Sequence, residues 1–184
     1  LKIESDILKG PKRTRIVVVT SGKGGVGKTS LALNLAMALC ELDKKTILFD
    51  ADMGLANVDI ILGLVPKYNL YHVIKREKEL MDILIAGPNG VQIIPGGSGI
   101  FQMANLSESE LKLVVAELGK LEGESEFMIV DTGAGIANDV LSFALMADDI
   151  LVITTPEPTS LTDAYGIIKT AATQEARGKF HLIV

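Results

Sequence analysis

A glycine-rich stretch at positions 20–30 has the residue types and spacing to bind phosphate. It reads Thr-Ser-Gly-Lys-Gly-Gly-Val-Gly-Lys-Thr-Ser and fits the pattern G-x-x-x-x-G-K-[ST], which begins at Gly22 and ends in Gly27, Lys28 and Thr29. Glycines let backbone N–H groups turn inward around phosphate oxygens. The pattern predicts a phosphate-binding loop, with Lys28 at the β- and γ-phosphates and the Thr29 hydroxyl on Mg²⁺.

The segments on either side of this loop are the ones that a phosphate-binding loop requires. The β-branched residues 16–19 predict a buried strand before it, and residues 31–39 are strong helix formers. A helix that begins at the loop adds the partial positive charge of its N-terminus. The alternative is an ordinary glycine turn between strand and helix, and the Lys-Thr pair in register argues against it.

Three aspartates stand where predicted strands end. Asp131 follows the apolar residues 127–130, the pattern of a metal-binding Walker B strand, and Asp50 and Asp52 close the strand predicted over 46–49. Carboxylates two residues apart in an extended segment point the same way. One of the pair could therefore orient a water molecule while the other binds the water shell of the metal ion. A helix cap at Asp131 and a turn formed by the pair are the alternatives.

Composition limits the class of protein. The chain has 184 residues, 48% hydrophobic and 22% charged, which predicts one globular domain. Cys40 is its only cysteine, which excludes an internal disulfide and argues for the cytosol. The sequence shows no signal peptide and no apolar run long enough to span a membrane. A net charge of −5 disfavours general nucleic-acid binding, although residues 9–15 form one basic cluster.

Strands and helices are predicted to alternate along the chain. After the first strand and helix, further strands are expected at 46–49, 82–86, 91–94, 127–130, 150–154 and 180–184. Helices are expected within 53–75 as short pieces broken at Gly63 and Pro66, after a capping box at 107–110, and at 138–146 and 159–176. This order predicts an α/β P-loop fold, with a mostly parallel sheet and helices on both faces. Ligands then bind at the carboxyl ends of the strands, where the loop and all three aspartates fall.

A second lysine in the loop, Lys23, carries a resemblance to a known family. Lys-Gly-Gly-Val-Gly-Lys-Thr resembles the deviant Walker A signature of the MinD/ParA family of ATPases. From spacing alone Lys23 could equally be a solvated loop lysine. The resemblance implies that Lys23 reaches across an ATP-dependent homodimer to the phosphates of the partner. It also implies ATP or ADP with Mg²⁺ as ligands and slow hydrolysis of ATP.

The resemblance assigns roles to individual residues. Catalytic roles fall on Lys23, Lys28 and Asp52, of which Asp52 would activate water. Metal binding falls on Thr29, Asp50 and Asp131. Nucleotide binding falls on the whole loop and one residue after the second strand: Gly22, Lys23, Gly24, Gly25, Val26, Gly27, Lys28, Thr29, Ser30 and Asn57. The segment 131–136 is similar to switch II of the family, whose glycines let the loop respond to the γ-phosphate.

Within the family, the chain looks closest to the FlhG/FleN branch, which regulates flagellar number and placement. Segments 52–63, 68–73, 93–100, 103–106 and 131–136 carry this similarity. It implies an FlhF-like GTPase or flagellar assembly proteins as partners. It also implies a cytoplasmic protein that, in its ATP-bound full-length form, reaches the inner face of the cell membrane through a C-terminal helix.

Two features of the FlhG/FleN branch are missing from the sequence. The Asp-Gln activation motif is not seen before Ile16, and the C-terminal region that completes the adenine pocket is not seen after Val184. We expect both ends to continue in a longer protein. Residues 1–15 are predicted to be a flexible leader and residues 16–184 the P-loop ATPase domain.

The residue types in the sequence also bear on other functions that occur on this type of fold. A MinD-type division-site selector would use the same chemistry, while a ParA-type DNA segregation ATPase fits poorly with the acidic charge. An iron–sulfur carrier needs a cysteine pair, which this chain does not supply. A metabolic kinase or synthetase would need an acceptor pocket. His72 and His181 are expected to be structural, and the family places Glu157 near the dimer interface.

Overall fold

In the computed structural model, which describes residues 13–53, 57–97, 103 and 106–184, strands and helices alternate as the sequence predicts. The strands are β1 (Arg15–Ser21), β2 (Thr46–Ala51), β3 (Ile85–Ala86), β4 (Gln92–Ile94), β5 (Phe127–Ala134), β6 (Asp149–Ile153) and β7 (Lys179–Ile183). The helices are α1 (Lys28–Glu41), α2 (Val58–Leu62), α3 (Leu70–Ile74), α4 (Glu108–Gly119), α5 (Asn138–Met146) and α6 (Pro158–Thr173). Most of the predicted leader lies outside the described residues.

One sheet of seven strands, in the order β3-β4-β2-β5-β1-β6-β7, organises the described part of the chain. Every pairing is parallel except that of β3 with β4. The centre of the sheet is apolar on both faces, as a doubly covered parallel sheet requires. The predicted fold class, a mostly parallel α/β sheet of the P-loop type, is therefore confirmed.

Helices cover both faces of this sheet. On one face, α3, α4, α5 and α6 pack against a core centred on Phe49 and Phe143, whose rings meet edge to face at 5.5 Å. On the other face, α1 and α2 pack on Leu48 and Ile129. The capping box predicted at the start of α4 is present, with the Ser107 hydroxyl and the Glu110 carboxylate each accepting a backbone N–H. Among the described residues, no helix has the length and apolar character needed to cross a membrane.

The strand predicted over 82–86 is wrong except for its last two residues. Residues Leu80–Ile83 form a 3₁₀ turn, and only Ile85 and Ala86 join the sheet as β3. Leu80 and Ile83 are both buried, and a spacing of three places them on one side of a 3₁₀ turn but on opposite sides of a strand. Glu79 and Asp82 cap the turn reciprocally.

Asp149 joins three neighbouring strands through its carboxylate. It accepts hydrogen bonds from Arg15 Nε of β1 at 2.7 Å and makes one with His181 Nε2 of β7 at 2.9 Å. The Arg15 hydrogen bond holds the pKa of Asp149 below its usual range, with a smaller contribution from His181. Arg13 pairs with Asp148 at 3.0 Å, so the described part of the basic cluster is neutralised within the chain. His181 therefore has the structural role expected of it.

Replacing this carboxylate should destabilise the fold. Asp149→Asn should lower the free energy of unfolding by about 1–3 kcal/mol at neutral pH, because hydrogen bonds to a buried charge are lost. Since the pKa of Asp149 is lowered by folding, the stabilisation is present above about pH 4 and disappears as pH falls through the folded-state pKa. Urea unfolding at several pH values measures this, with the exposed Asp43→Asn as the matched control. A difference between Asp149→Asn and the parent that persists unchanged at pH 2 would contradict the charge explanation.

Candidate functional site

The glycine loop connects β1 to α1 in a conformation that only glycine adopts readily. Gly25 and Gly27 have φ angles of 77° and 99°, in the left-handed region. A Cβ atom added to Gly24, Gly25 or Gly27 would meet nothing within 4 Å, so these residues border open space. Helix α1 begins at Lys28, immediately after the loop. The backbone thus forms the concave turn at a helix N-terminus that suits a phosphate group.

An open cavity of about 610 Å³ lies against this loop, at the carboxyl ends of β1, β2 and β5. Its lining comes from the loop, from the end of β2 and from the segment that leads into α5. The lining residues are Gly24, Gly25, Gly27, Lys28, Thr29, Ser30, Asp52, Asn57, Gly133, Ala134, Ala137, Asp139 and Val140. Most of the residues predicted to bind nucleotide are therefore brought together, apart from Gly22, Lys23 and Val26.

Lys28 is a nearly buried cation that lines the cavity. It is 8% exposed, and burial lowers its pKa, while the nearby carboxylates of Asp131 and Asp52 act in the opposite direction. No ion pair of Lys28 within 4 Å is found among the described residues. A partly desolvated ammonium that faces a cavity interacts strongly with any anion that enters.

Asp131 and Asp50 lie side by side behind the cavity, on the neighbouring strands β5 and β2. Both are 1% exposed. Burial raises the pKa of Asp131 to about 6. The Thr29 hydroxyl and the charge of Lys28 both lower this pKa and so limit the increase. Burial also raises the pKa of Asp50 to about 7, opposed chiefly by the N–H of Val58, while Asp131 adds to the increase. Two adjacent buried carboxylates of this kind gain most from a cation between or beside them.

The oxygen atoms of these two carboxylates fit a hard divalent cation. Within the described part of the chain, no hydrogen bond of standard geometry reaches either carboxylate oxygen of Asp131 or Oδ1 of Asp50. Buried polar atoms are normally satisfied, so unsatisfied carboxylate oxygens beside a threonine hydroxyl indicate a site completed by a ligand. Oxygen donors of this set suit Mg²⁺.

Asp50 and Asp52 have different surroundings, although they are two residues apart. Oδ2 of Asp50 accepts the N–H groups of Asn57 and Val58, each at 2.9 Å, and so caps the start of α2. Asp52 instead lines the cavity, close to Gly133. Asp50 therefore fixes the segment that carries Asn57, while the Asp52 carboxylate is positioned to act on a bound ligand.

Lys23 lies outside the cavity of its own chain. Its ammonium is exposed and pairs with Oε2 of Glu157, just before α6, at 2.8 Å. The hydrogen bond with Glu157 raises the pKa of Lys23, and the same bond lowers the pKa of Glu157. Exposed pairs of this kind contribute little to stability, so the ammonium is free to exchange Glu157 for another anion.

With this geometry established, comparison with known proteins identifies the family. A family model described as an AAA domain matches residues 14–182. The antiactivator FleN of Pseudomonas aeruginosa is 42% identical over 169 residues, which cover 92% of this chain and 60% of FleN. The chain belongs to this AAA-domain family, and within it to the MinD/ParA group.

Two further comparisons agree with this assignment. The flagellum site-determining protein YlxH of Helicobacter pylori is 39% identical, over 88% of this chain and 58% of YlxH. The septum site-determining protein MinD of Pyrococcus horikoshii, whose structure was solved in complex with Mg-ADP, superposes with a TM-score of 0.81 and 27% identity over 93% of this chain and 70% of that protein. The chain thus spans about 60% of the length of the two curated relatives.

Gly22, the first glycine of the G-x-x-x-x-G-K-[ST] pattern, has a packing role that its spacing does not reveal. It lies against Asp163 of α6, and a Cβ atom on Gly22 would overlap the Cβ of Asp163 and lie 2.6 Å from its carbonyl carbon. Because the neighbouring atoms include backbone, they cannot move without shifting α6. Gly22 thus allows α6, which follows Glu157, to pack on the phosphate loop.

Gly22→Ala should therefore destabilise the protein without altering any charged group. We expect a loss of about 1–3 kcal/mol in the free energy of unfolding, typical of forced overpacking. Gly24→Ala is the matched control in the same loop, because a Cβ on Gly24 meets nothing within 4 Å. Thermal unfolding of both variants without nucleotide compares them, and equal midpoints would show that α6 does not press on Gly22.

Several contacts of the site were not anticipated from the sequence. Asp139, in the first turn of α5, lines the cavity. Asp163 packs on Gly22 of the loop, although it lies 141 positions later in the chain. The only sequence signal for Asp139 was its position shortly after the glycines of 131–136. His72 forms a reciprocal cap with Asn69 at the start of α3, which confirms its structural role. No cluster of three or more potential metal ligands of the His, Cys, Asp and Glu types occurs among the described residues.

Proposed function

We propose that this chain is the nucleotide-binding core of an ATP-dependent dimerisation switch that hydrolyses ATP to ADP with Mg²⁺. The observation that carries the proposal is the combination of one buried lysine and two buried carboxylates with unsatisfied oxygens behind a glycine loop. Lys28 would hold the β- and γ-phosphates. Thr29, Asp131 and Asp50 would hold Mg²⁺ directly or through its water shell, and the ion would neutralise charge that develops on the phosphates.

Hydrolysis also needs a group that positions water. Asp52 is the carboxylate that reaches the cavity, and it lies next to Gly133 of switch II. Placed there, it would orient the attacking water and accept its proton as the bond to the γ-phosphate breaks. Gly133 and Gly135 would let switch II adapt to the presence of the γ-phosphate. Asn57 lines the same cavity, is positioned by the contact of its N–H with Asp50, and would contact the nucleotide.

A second copy of the chain would complete the site. Lys23 does not line the cavity of its own chain, and its exposed ammonium pairs with Glu157. This arrangement supports a role in trans, in which Lys23 of each copy leaves Glu157 and neutralises the phosphates bound by the other copy. ATP would then favour the dimer and ADP the monomer.

The proposed cellular role is the placement or number of flagella. Its support is the similarity to FleN and YlxH, which are named for flagellar regulation and flagellum site determination. An FlhF-like GTPase or flagellar assembly proteins would be the partners, and a C-terminal helix beyond Val184 would bring the ATP dimer to the inner face of the membrane. Division-site selection is the second candidate, favoured by the fold similarity to MinD. Flagellar or division genes beside the coding sequence would separate the two.

Metal removal tests the chemistry directly. We expect phosphate release from ATP in the presence of Mg²⁺, and loss of that release when EDTA removes the metal, because Asp131 and Asp50 then have no cation to hold against the phosphates. Asp131→Asn should raise the Mg²⁺ concentration needed for half-maximal rate by about tenfold or more. Asp43→Asn, at the exposed end of α1, is the control. Hydrolysis that requires an added acceptor molecule would instead indicate a kinase.

A further inference from the structure

A second charged surface surrounds α3, and none of its residues lines the nucleotide cavity. Four cations occur within residues 67–78, together with a single carboxylate, in a chain whose net charge is −5. We call them the α3 patch: Lys67, Lys75, Arg76 and Lys78. Lys67, Lys75 and Arg76 are exposed, and Lys78 is half-buried. The patch is therefore a local positive region on an acidic protein.

Two tyrosine rings lie next to the lysines of the α3 patch. The ammonium groups of Lys67 and Lys78 lie 5.2 and 4.5 Å from the ring centre of Tyr68, and that of Lys75 lies 5.3 Å from the ring centre of Tyr71. Both rings are half-buried and pack against the core of the α3 face of the sheet. Each contact of this kind is weakly favourable at an exposed site, so the rings favour lysine positions on one surface.

The charges of the α3 patch are not neutralised within the described part of the chain. Among the described residues, none of its four cations forms an ion pair, whereas six cations elsewhere do: Arg13, Arg15, Lys23, Lys44, Lys112 and Lys120. Glu110 interacts electrostatically with Lys75 of the patch, but only weakly. Its pKa is lowered mainly by hydrogen bonds with Ser107, and Lys75 makes the smallest contribution. Unpaired cations on aromatic supports are available to an external anion.

We propose that the α3 patch docks an acidic segment of a partner protein. Charge complementarity supplies the attraction. Glu77, Glu79 and Asp82 are exposed close to these cations in the sequence, and a short acidic segment covers less of this surface than a bilayer does. A flat anionic bilayer would meet those carboxylates as well.

Nucleic acid fits the α3 patch less well. Single strands gain much of their affinity from bases that stack on aromatic rings. Here the lysine ammonium groups already lie over both tyrosine rings, so a base would have to displace them. The tyrosines therefore act as supports for cations and are not stacking platforms.

Binding of a fluorescein-labelled polyglutamate peptide tests the proposal by anisotropy at low salt. The variant Lys67→Gln/Lys75→Gln/Arg76→Gln/Lys78→Gln should bind it about tenfold more weakly or worse, and added salt should weaken binding to the parent chain. The matched control is Lys44→Gln/Lys45→Gln/Arg177→Gln/Lys179→Gln, which removes the same charge elsewhere and should keep most of the affinity. Lys67→Arg/Lys75→Arg/Lys78→Arg keeps the charge and should bind like the parent.

Several outcomes would overturn the proposal. Equal losses in the patch variant and the control would show attraction to cations in general. Tighter, patch-dependent binding to phosphatidylserine vesicles or to a single-stranded oligonucleotide than to polyglutamate would assign the surface to a membrane or to nucleic acid. Both glutamine variants should hydrolyse ATP at the parental rate and unfold at a similar temperature, so failure of the docking proposal is distinguishable from failure of the proposed ATPase.

Discussion

Lys28→Ala should abolish nucleotide binding by this protein. Lys28 is the nearly buried cation of the cavity, and the other lysine of the loop, Lys23, points away to Glu157. Hydrogen bonds between charged partners are worth about 1.5–3 kcal/mol each. Loss of two contacts to phosphate should therefore lower the affinity for ATP and for ADP by about 100-fold or more. Titration calorimetry with each nucleotide measures the effect.

The fold of the Lys28→Ala variant should survive, which makes the binding result interpretable. Burial already disfavours the charged form of Lys28, so removing the ammonium relieves a desolvation cost. The main side effect is on Asp131, whose pKa should rise further because Lys28 helps to lower it. Lys45→Ala, an exposed lysine before β2, is the control. Unchanged ATP affinity in Lys28→Ala, with Lys45→Ala also unchanged, would show that the glycine loop does not bind nucleotide.

The local parts of the site could be predicted from the sequence because they depend on neighbouring residues. Strand β1, the glycine turn and helix α1 follow one another without interruption, and periodicity and glycine spacing define all three. The strand-end aspartates were found for the same reason. The segment Leu80–Ile83 is too short for its periodicity to be read from the sequence, and the burial of Leu80 and Ile83, three residues apart, identifies it as a 3₁₀ turn.

Contacts between distant parts of the chain could not be predicted in this way. The pairing of Lys23 with Glu157 and the packing of Gly22 on Asp163 depend on where α6 meets β1, which the sheet order decides. The difference between Asp50 and Asp52 was also hidden, because it results from two N–H groups at the start of α2. The spacing of Asp50 and Asp52 does not show that Asp50 binds backbone N–H groups while Asp52 lines the cavity; their burial in the fold does.

Lys23→Ala and Asp52→Ala should have opposite effects on the proposed ATP-dependent dimer. Lys23→Ala should leave ATP binding nearly intact, because the side chain is outside its own cavity, but should prevent the ATP-dependent dimer. A cation supplied in trans contributes about 10³–10⁵ in rate in related phosphoryl-transfer reactions, so hydrolysis should fall accordingly. Asp52→Ala should instead lose the water-orienting carboxylate, keep both lysines and accumulate as an ATP-bound dimer. Light scattering with ATP and Mg²⁺ should report a monomer for the first variant and a persistent dimer for the second.

Glu157→Gln is the control that makes this comparison decisive. It breaks the ion pair of Lys23 within the chain but keeps the ammonium, and an exposed pair is worth only about 0–1 kcal/mol. It should therefore dimerise with ATP at least as readily as the parent, because Lys23 no longer has to leave Glu157. If Glu157→Gln instead behaves like Lys23→Ala, the ion pair itself supports the dimer surface and Lys23 has no role in trans. If Lys23→Ala dimerises and hydrolyses ATP normally, Lys23 is a solvated loop residue and the protein works as an ordinary P-loop NTPase.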